Sequence, residues 1–133
     1  MKSIRLCIGS NDGKNIAKTH MGDTDCFYIY DIFQNSKHLF VDKRTNVSKS
    51  MGHAKVEKMK AVIEIIKDSD VLVARQKSPN FIKIAENTKY QPVVVRTEKI
   101  PDILMTLCKS FDEIYEYIAR RKNGETFGTI IEL

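Results

Sequence analysis

The stretch from Ile4 to Gly22 gathers the residue types that could do chemistry. Ser10-Asn11-Asp12-Gly13-Lys14-Asn15 follows a short apolar run, and Lys18-Thr19-His20-Met21-Gly22 follows that. Lysines attract anions, an imidazole can ligate a metal or move a proton, and a polar loop presents backbone N–H groups to either. The preceding run explains where these groups sit. Ile4, Leu6 and Ile8 alternate with Ser3, Arg5 and Cys7, the two-residue period of a strand. Asn11, Asp12 and Gly13 favour turns and end it. The loop therefore lies over a strand's carboxyl end, where open α/β sheets collect ligands.

With 133 residues the chain fits one domain, with a core over about residues 1–122 and a tail at 123–133. Its 22 Lys and Arg against 17 Asp and Glu give a net charge of +5, which favours anionic ligands without naming one. Three scattered cysteines, Cys7, Cys26 and Cys108, form no C-x-x-C pair, which excludes a zinc ribbon or a thioredoxin motif. The start has no apolar signal region, and no run approaches the roughly 20 apolar residues of a membrane span. A cytoplasmic protein with reduced thiols, monomeric or weakly dimeric, is expected.

The elements that position the loop follow in order. Cys26 to Phe33 is apolar on both faces and suits an interior strand, and His38 to Asp42 is its hairpin return. Lys43 to Lys49 reads as a polar connection. Val56, Met59, Ile63 and Ile66 give the stripe of a helix from about His53 to Lys67. Val71–Ala74 is a buried parallel strand. Ser78 caps a second helix with Pro79 at its first position and an apolar stripe of Phe81, Ile84 and Ala85. Gln91-Pro92 breaks that helix, and Val93–Val95 is another buried strand. Leu104, Leu107, Phe111, Ile114 and Ile118 keep one helical face, divided at Ser110, which has capping-box spacing to Glu113. The tail either adds an edge strand or packs loosely.

This order predicts an α/β fold: a five-stranded mixed sheet, order 3-2-1-4-5, with helices on its faces and the hairpin strands antiparallel to the first. The expected core is Ile4, Leu6, Ile8, Ile29, Val71, Val73, Val94, Ile63, Ile66, Ile84, Leu107 and Ile118.

The strand-S-N-D-G-K start, the H-x-G at His20 and Gly22, the Gly52-His53 pair before the first long helix, and the S-D-V-L-V strand with Pro79 after it resemble the dinitrogenase iron–molybdenum cofactor-binding family over about residues 1–120. The resemblance implies a ribonuclease H-like fold and binding or carriage of iron–molybdenum cofactor or an iron–sulfur cluster, with a metallocluster donor or acceptor protein as partner. Where the family commonly has a glycine-rich turn, this chain has Ala74-Arg75-Gln76-Lys77-Ser78, which fills space and adds two cations.

Cluster iron accepts thiolate or imidazole, so His20, His53 and Cys26 are the candidate ligands. Lys14, Lys18, Arg75 and Lys77 would add charge for an anionic cargo. The plain alternative is that the histidines are ordinary loop and helix-start residues and the cysteines small buried hydrophobes. A ribonuclease H-like nuclease would need clustered carboxylates, yet the central strand offers Ser3, Arg5 and Cys7. No G-x-S-x-G or G-x-x-x-x-G-K-S/T motif is present, so no catalysis is expected. The second reading is a nucleic-acid-binding module using Tyr28, Tyr30 and Phe40 beside basic groups. Helices should cover that sheet, however, so core packing is the expected role of these aromatics and nucleic acid is not the expected partner.

Overall fold

A computed structural model of the chain describes residues 1–51 and 55–133. Its strands are β1 (Ser3–Ser10), β2 (Cys26–Phe33), β3 (His38–Thr45), β4 (Val71–Ala74), β5 (Gln91–Val94) and β6 (Ile131–Glu132). Its helices are α1 (Lys55–Ile66), α2 (Pro79–Asn87), α3 (Ile100–Lys109) and α4 (Phe111–Lys122). One sheet runs β3-β2-β1-β4-β5-β6. The order 3-2-1-4-5 is the expected one, the ribonuclease H-like label fits it, and the tail adds a sixth strand parallel to β5. Strands β4 and β5 run parallel to β1. Of the hairpin, only β2 is antiparallel to β1; β3 pairs antiparallel with β2 and so runs with β1.

Strand alternation divides the core. Ile4, Leu6 and Ile8 of β1 pack with Val71, Val73 and Val93 against Ile103, Leu104 and Leu107 of α3 and Ile114 and Ile118 of α4. On the other face Cys7, Phe27, Ile29 and Leu72 pack against Ile66 of α1 and Phe81 of α2. Each buried aliphatic side chain contributes about 1.5–3 kcal/mol, so both faces are needed to offset chain entropy.

Four local readings change. Strand β3 extends to Thr45, so Lys43 and Arg44 belong to the sheet. Arg44 is held there by Asp42 and Asp68. Gln91 and Pro92 are part of β5. The proline is tolerated because the N–H groups of Gln91 and Val95 donate to the carbonyls of Asp70 and Ala74, while the nitrogen of Pro92 faces the β6 side. In α1 the phase of the stripe differs: Met59 and Ile63 are 58% and 45% exposed, while Val62, Ile65 and Ile66 face the sheet. The helix is apolar on more than one side, so periodicity alone admitted either phase. Finally, Val94 and Ile84 are partly buried rather than fully so.

Helices α3 and α4 do meet at Ser110, but its side chain makes no capping hydrogen bond. From α4, buried Arg121 donates to Gln91 Oε1 at 2.8 Å, the Ala85 carbonyl at 2.7 Å, and the carbonyls of Thr88, Phe127 and Thr129. This guanidinium ties α4, the end of α2, β5 and the tail together.

Candidate functional site

Three segments leave the carboxyl ends of β1, β4 and β5 together: residues 11–25, 75–78 and 95–99. The first is not a free loop. Asp12 Oδ1 accepts the backbone N–H groups of Lys14 and Asn15, each at 2.8 Å. These bonds, Asn15 first, hold its carboxyl well below the usual range. Gly13 has φ +74°, and a Cβ there would stand 2.8 Å from Tyr28 Oη, so glycine is required. The chain then turns inward. Ile16 N–H donates to the Glu98 carbonyl, Ala17 N–H to the Gly9 carbonyl, and Ile100 N–H to the Lys14 carbonyl.

The segment carrying His20 and Gly22 is fixed from beneath. His20 precedes a single 3₁₀ turn, Met21–Asp23, and its carbonyl accepts Asp23 N–H at 2.9 Å. Buried Thr24 packs on Gly9, where a Cβ would stand 2.8 Å from Thr24 Cγ2. Buried Asn46 donates to the carbonyls of Gly22 and Thr24 at 2.9 and 2.7 Å. Neither Thr24 nor Asn46 stood out in the sequence; the cap-forming Asn46-Val47-Ser48 spacing was the one signal available.

The predicted site residues divide into groups. Lys18 and Arg75 converge on Glu98, each with a closest approach of 3.4 Å, and Gln76 reaches the Lys18 carbonyl. Arg75 first, then Lys18, depresses the Glu98 carboxyl. The Arg75 contact is coulombic, since its buried Nη1 makes no aligned hydrogen bond; the buried Thr97 Oγ1 also lacks a partner. Glu98 and Thr97 were not anticipated, because they follow a strand whose own end was set by the fold. Lys77 is exposed on the same turn as Arg75.

His20 is exposed, and Cys26 opens β2, half-buried and opposite Ser10. His53 lies outside the described residues, so where it stands relative to His20 does too. Among the described residues, no three His, Cys, Asp or Glu side chains group closely enough to hold a metal ion. Cys7 is fully buried and Cys108 half-buried; burial raises both thiols, which makes them poor thiolate donors.

Lys14 belongs to a different place. It lines a groove of about 480 Å³ with Tyr30, His38, Lys99, Ile100 and Leu104, between the β2–β3 end of the sheet and the start of α3. The aromatics expected in the core lie at this end. Phe40 is 50% exposed, and Tyr28 and Tyr30 are half-buried. Helix α3 packs over β2 and helix α4 over β5, away from the β3 edge.

Among the described residues no helix is long and apolar enough to cross a membrane. No protein of curated function matches the chain. The family model described as dinitrogenase iron–molybdenum cofactor matches residues 2–110, ending where α3 meets α4. The chain therefore belongs to the dinitrogenase iron–molybdenum cofactor family.

Proposed function

We propose that this protein is a small, non-catalytic carrier that binds an anionic metallocluster, an iron–molybdenum cofactor or iron–sulfur cluster, at the carboxyl edge of β1, β4 and β5. Family membership carries the metallocluster part of this reading. The position rests on Arg75: its Nη1 stands 3.4 Å from the exposed Glu98 carboxylate without an aligned hydrogen bond, a loose pairing that a more strongly anionic cargo would displace. Thr97 Oγ1 adds a second unfilled hydrogen-bonding atom after β5. The replacement of glycines by Arg75-Gln76-Lys77 thus supplies charge where the family commonly leaves space.

His20, His53 and Cys26 are the proposed ligands, few enough for release to a partner protein. Lys18, Arg75 and Lys77 would neutralise the cargo. The non-catalytic reading is supported by the central strand, where Arg5 pairs with Asp31 at 2.9 Å and its N–H donates to Asp70. Those carboxylates are engaged by the protein itself.

The test is anaerobic incubation with a preformed iron–sulfur or iron–molybdenum cluster, then gel filtration, metal analysis and absorption spectra. The wild type should retain the cluster. The double variant His20→Ala/His53→Ala should lose it with its thermal midpoint nearly unchanged. Retention by that variant would reject these ligands, and no uptake by the wild type would reject the carrier reading.

A further inference from the structure

The groove beside α3 has features that cluster carriage does not need. Tyr30 lines it, and at its edge Phe40 stands edge-on to Tyr30, with centroids 5.4 Å apart at 65°, and lies 6.5 Å from Tyr28. Register places all three on one sheet face, because Tyr30 pairs with Phe40 and Tyr28 lies two residues from Tyr30. An aromatic group half in water is an unfilled apolar surface. Around it stand Lys14, Lys99 and His38, with Lys43 Nζ 6.0 Å from the Tyr28 ring centre. None of the described residues lining the groove is a carboxylate.

The start of α3 contributes little to anion binding here. Ile100 N–H is spent on Lys14, and Pro101 has no N–H. Anion attraction therefore falls to the lysine side chains, which leaves the aromatics and the apolar floor of Ile100 and Leu104 for a flat, uncharged group. A ligand matching both halves carries an aromatic ring joined to a phosphate. An inorganic cluster gains nothing from stacking.

We propose that this groove binds a nucleobase with its adjacent phosphate, the base on Phe40 and Tyr30 and the phosphate between Lys14 and Lys99. A free nucleotide and one unit of a single strand share this chemistry. A cavity of about 480 Å³ suits one such unit, and β3, an edge strand, leaves room for a neighbouring one.

Fluorescence anisotropy with a labelled oligothymidylate, competed by adenosine 5′-monophosphate, tests this at two salt concentrations. Salt-dependent binding is expected. Phe40→Ala should weaken it about tenfold, the usual loss for one stacking ring. Because Phe40 is half-exposed, a thermal midpoint close to wild type should accompany the loss. Lys14→Gln/Lys99→Gln should lower the salt slope by about 0.7 per lysine. Lys83→Gln, exposed on α2 across the sheet, should leave affinity and slope close to wild type. Competition by the mononucleotide assigns a nucleotide site; binding of the oligomer without such competition assigns a strand site. Absence of binding, equal affinity of Phe40→Ala, or equal competition by a polyglutamate peptide would overturn the proposal. Cluster uptake measured on Phe40→Ala keeps the two sites apart, since only a groove that serves the cargo would change it.

Discussion

Arg121 and Arg75 are both arginines drawn towards the body of the fold, and they are held in opposite ways. Arg121 is 4% exposed and its guanidinium is filled by a side-chain amide and four backbone carbonyls. Burial lowers its affinity for a proton, yet every acceptor is an uncharged dipole aimed at it. Arg75 is 24% exposed at its side chain, shares one carboxylate with Lys18, and keeps a buried nitrogen without an aligned acceptor. The first arrangement is closed and contributes to folding. The second is loose: one shared carboxylate and one nitrogen without an aligned acceptor. The number of N–H donors left unfilled separates the two arginines better than burial does.

The comparison breaks most visibly at Arg121. Arg121→Ala strands its carbonyl partners and should destabilise the fold by about 3 kcal/mol, read as a lower urea midpoint. A change under about 0.5 kcal/mol, the range of ordinary surface substitutions, would show that the hub is ornamental.

An intermediate case sharpens the contrast. Arg5 and Arg44 converge on Asp68, at 3.0 and 2.6 Å. Hydrogen bonds from Arg44 foremost, and from Arg5, hold its carboxyl well below the usual range. The stability it contributes is present above the unfolded-chain value of about 3.9 and is lost as pH falls through the lower folded value. Asp68→Asn should therefore lower the thermal midpoint at neutral pH, with the two profiles converging in strong acid. Parallel profiles throughout would remove Asp68 from the acid limb.

At the loosely paired site the expected stability changes are smallest and the binding changes are not. Arg75→Gln should shift stability by less than about 0.5 kcal/mol while reducing cluster uptake. A loss of stability matching that of Arg121→Ala would make Arg75 structural. Glu98→Gln, at an exposed carboxylate, should barely move the midpoint and should increase uptake by releasing Lys18 and Arg75. Unchanged or reduced uptake would show that Glu98 does not compete with the cargo.

Much of the fold was legible because strands and caps carry local signals. The alternation in β1, the buried run of β4 and the Ser78-Pro79 cap each appear as read; Ser78 Oγ accepts the Phe81 N–H. What escaped depended on neighbours. Met59 and Ile63 have the right spacing for a core stripe, but a helix apolar on two sides does not reveal which side meets the sheet. Phe40 looked like core because nothing in its own segment says how far α3 reaches. The candidate site was legible by residue type and not by grouping. Lys18 and Arg75 lie far apart in sequence and meet only because β1 and β4 are parallel neighbours, and Glu98 joins them from the far end of β5. Lys14 was placed with them by sequence proximity, yet the Asp12-Gly13 turn and the bond to Ile100 carry it to another face.

Pro92 has a consequence for where the tail can pair. Towards β6, Val94 accepts the Leu133 N–H, and Arg96 donates to the Leu133 carbonyl. Two residues earlier on the same side stands a nitrogen with no hydrogen. If β6 slid towards the amino end of β5, it would find a ladder with a missing rung. The proline thus sets the register of the tail, on a flank that the tail itself covers, where Gln91 Nε2 donates to the Thr129 carbonyl and Gln91 is fully buried.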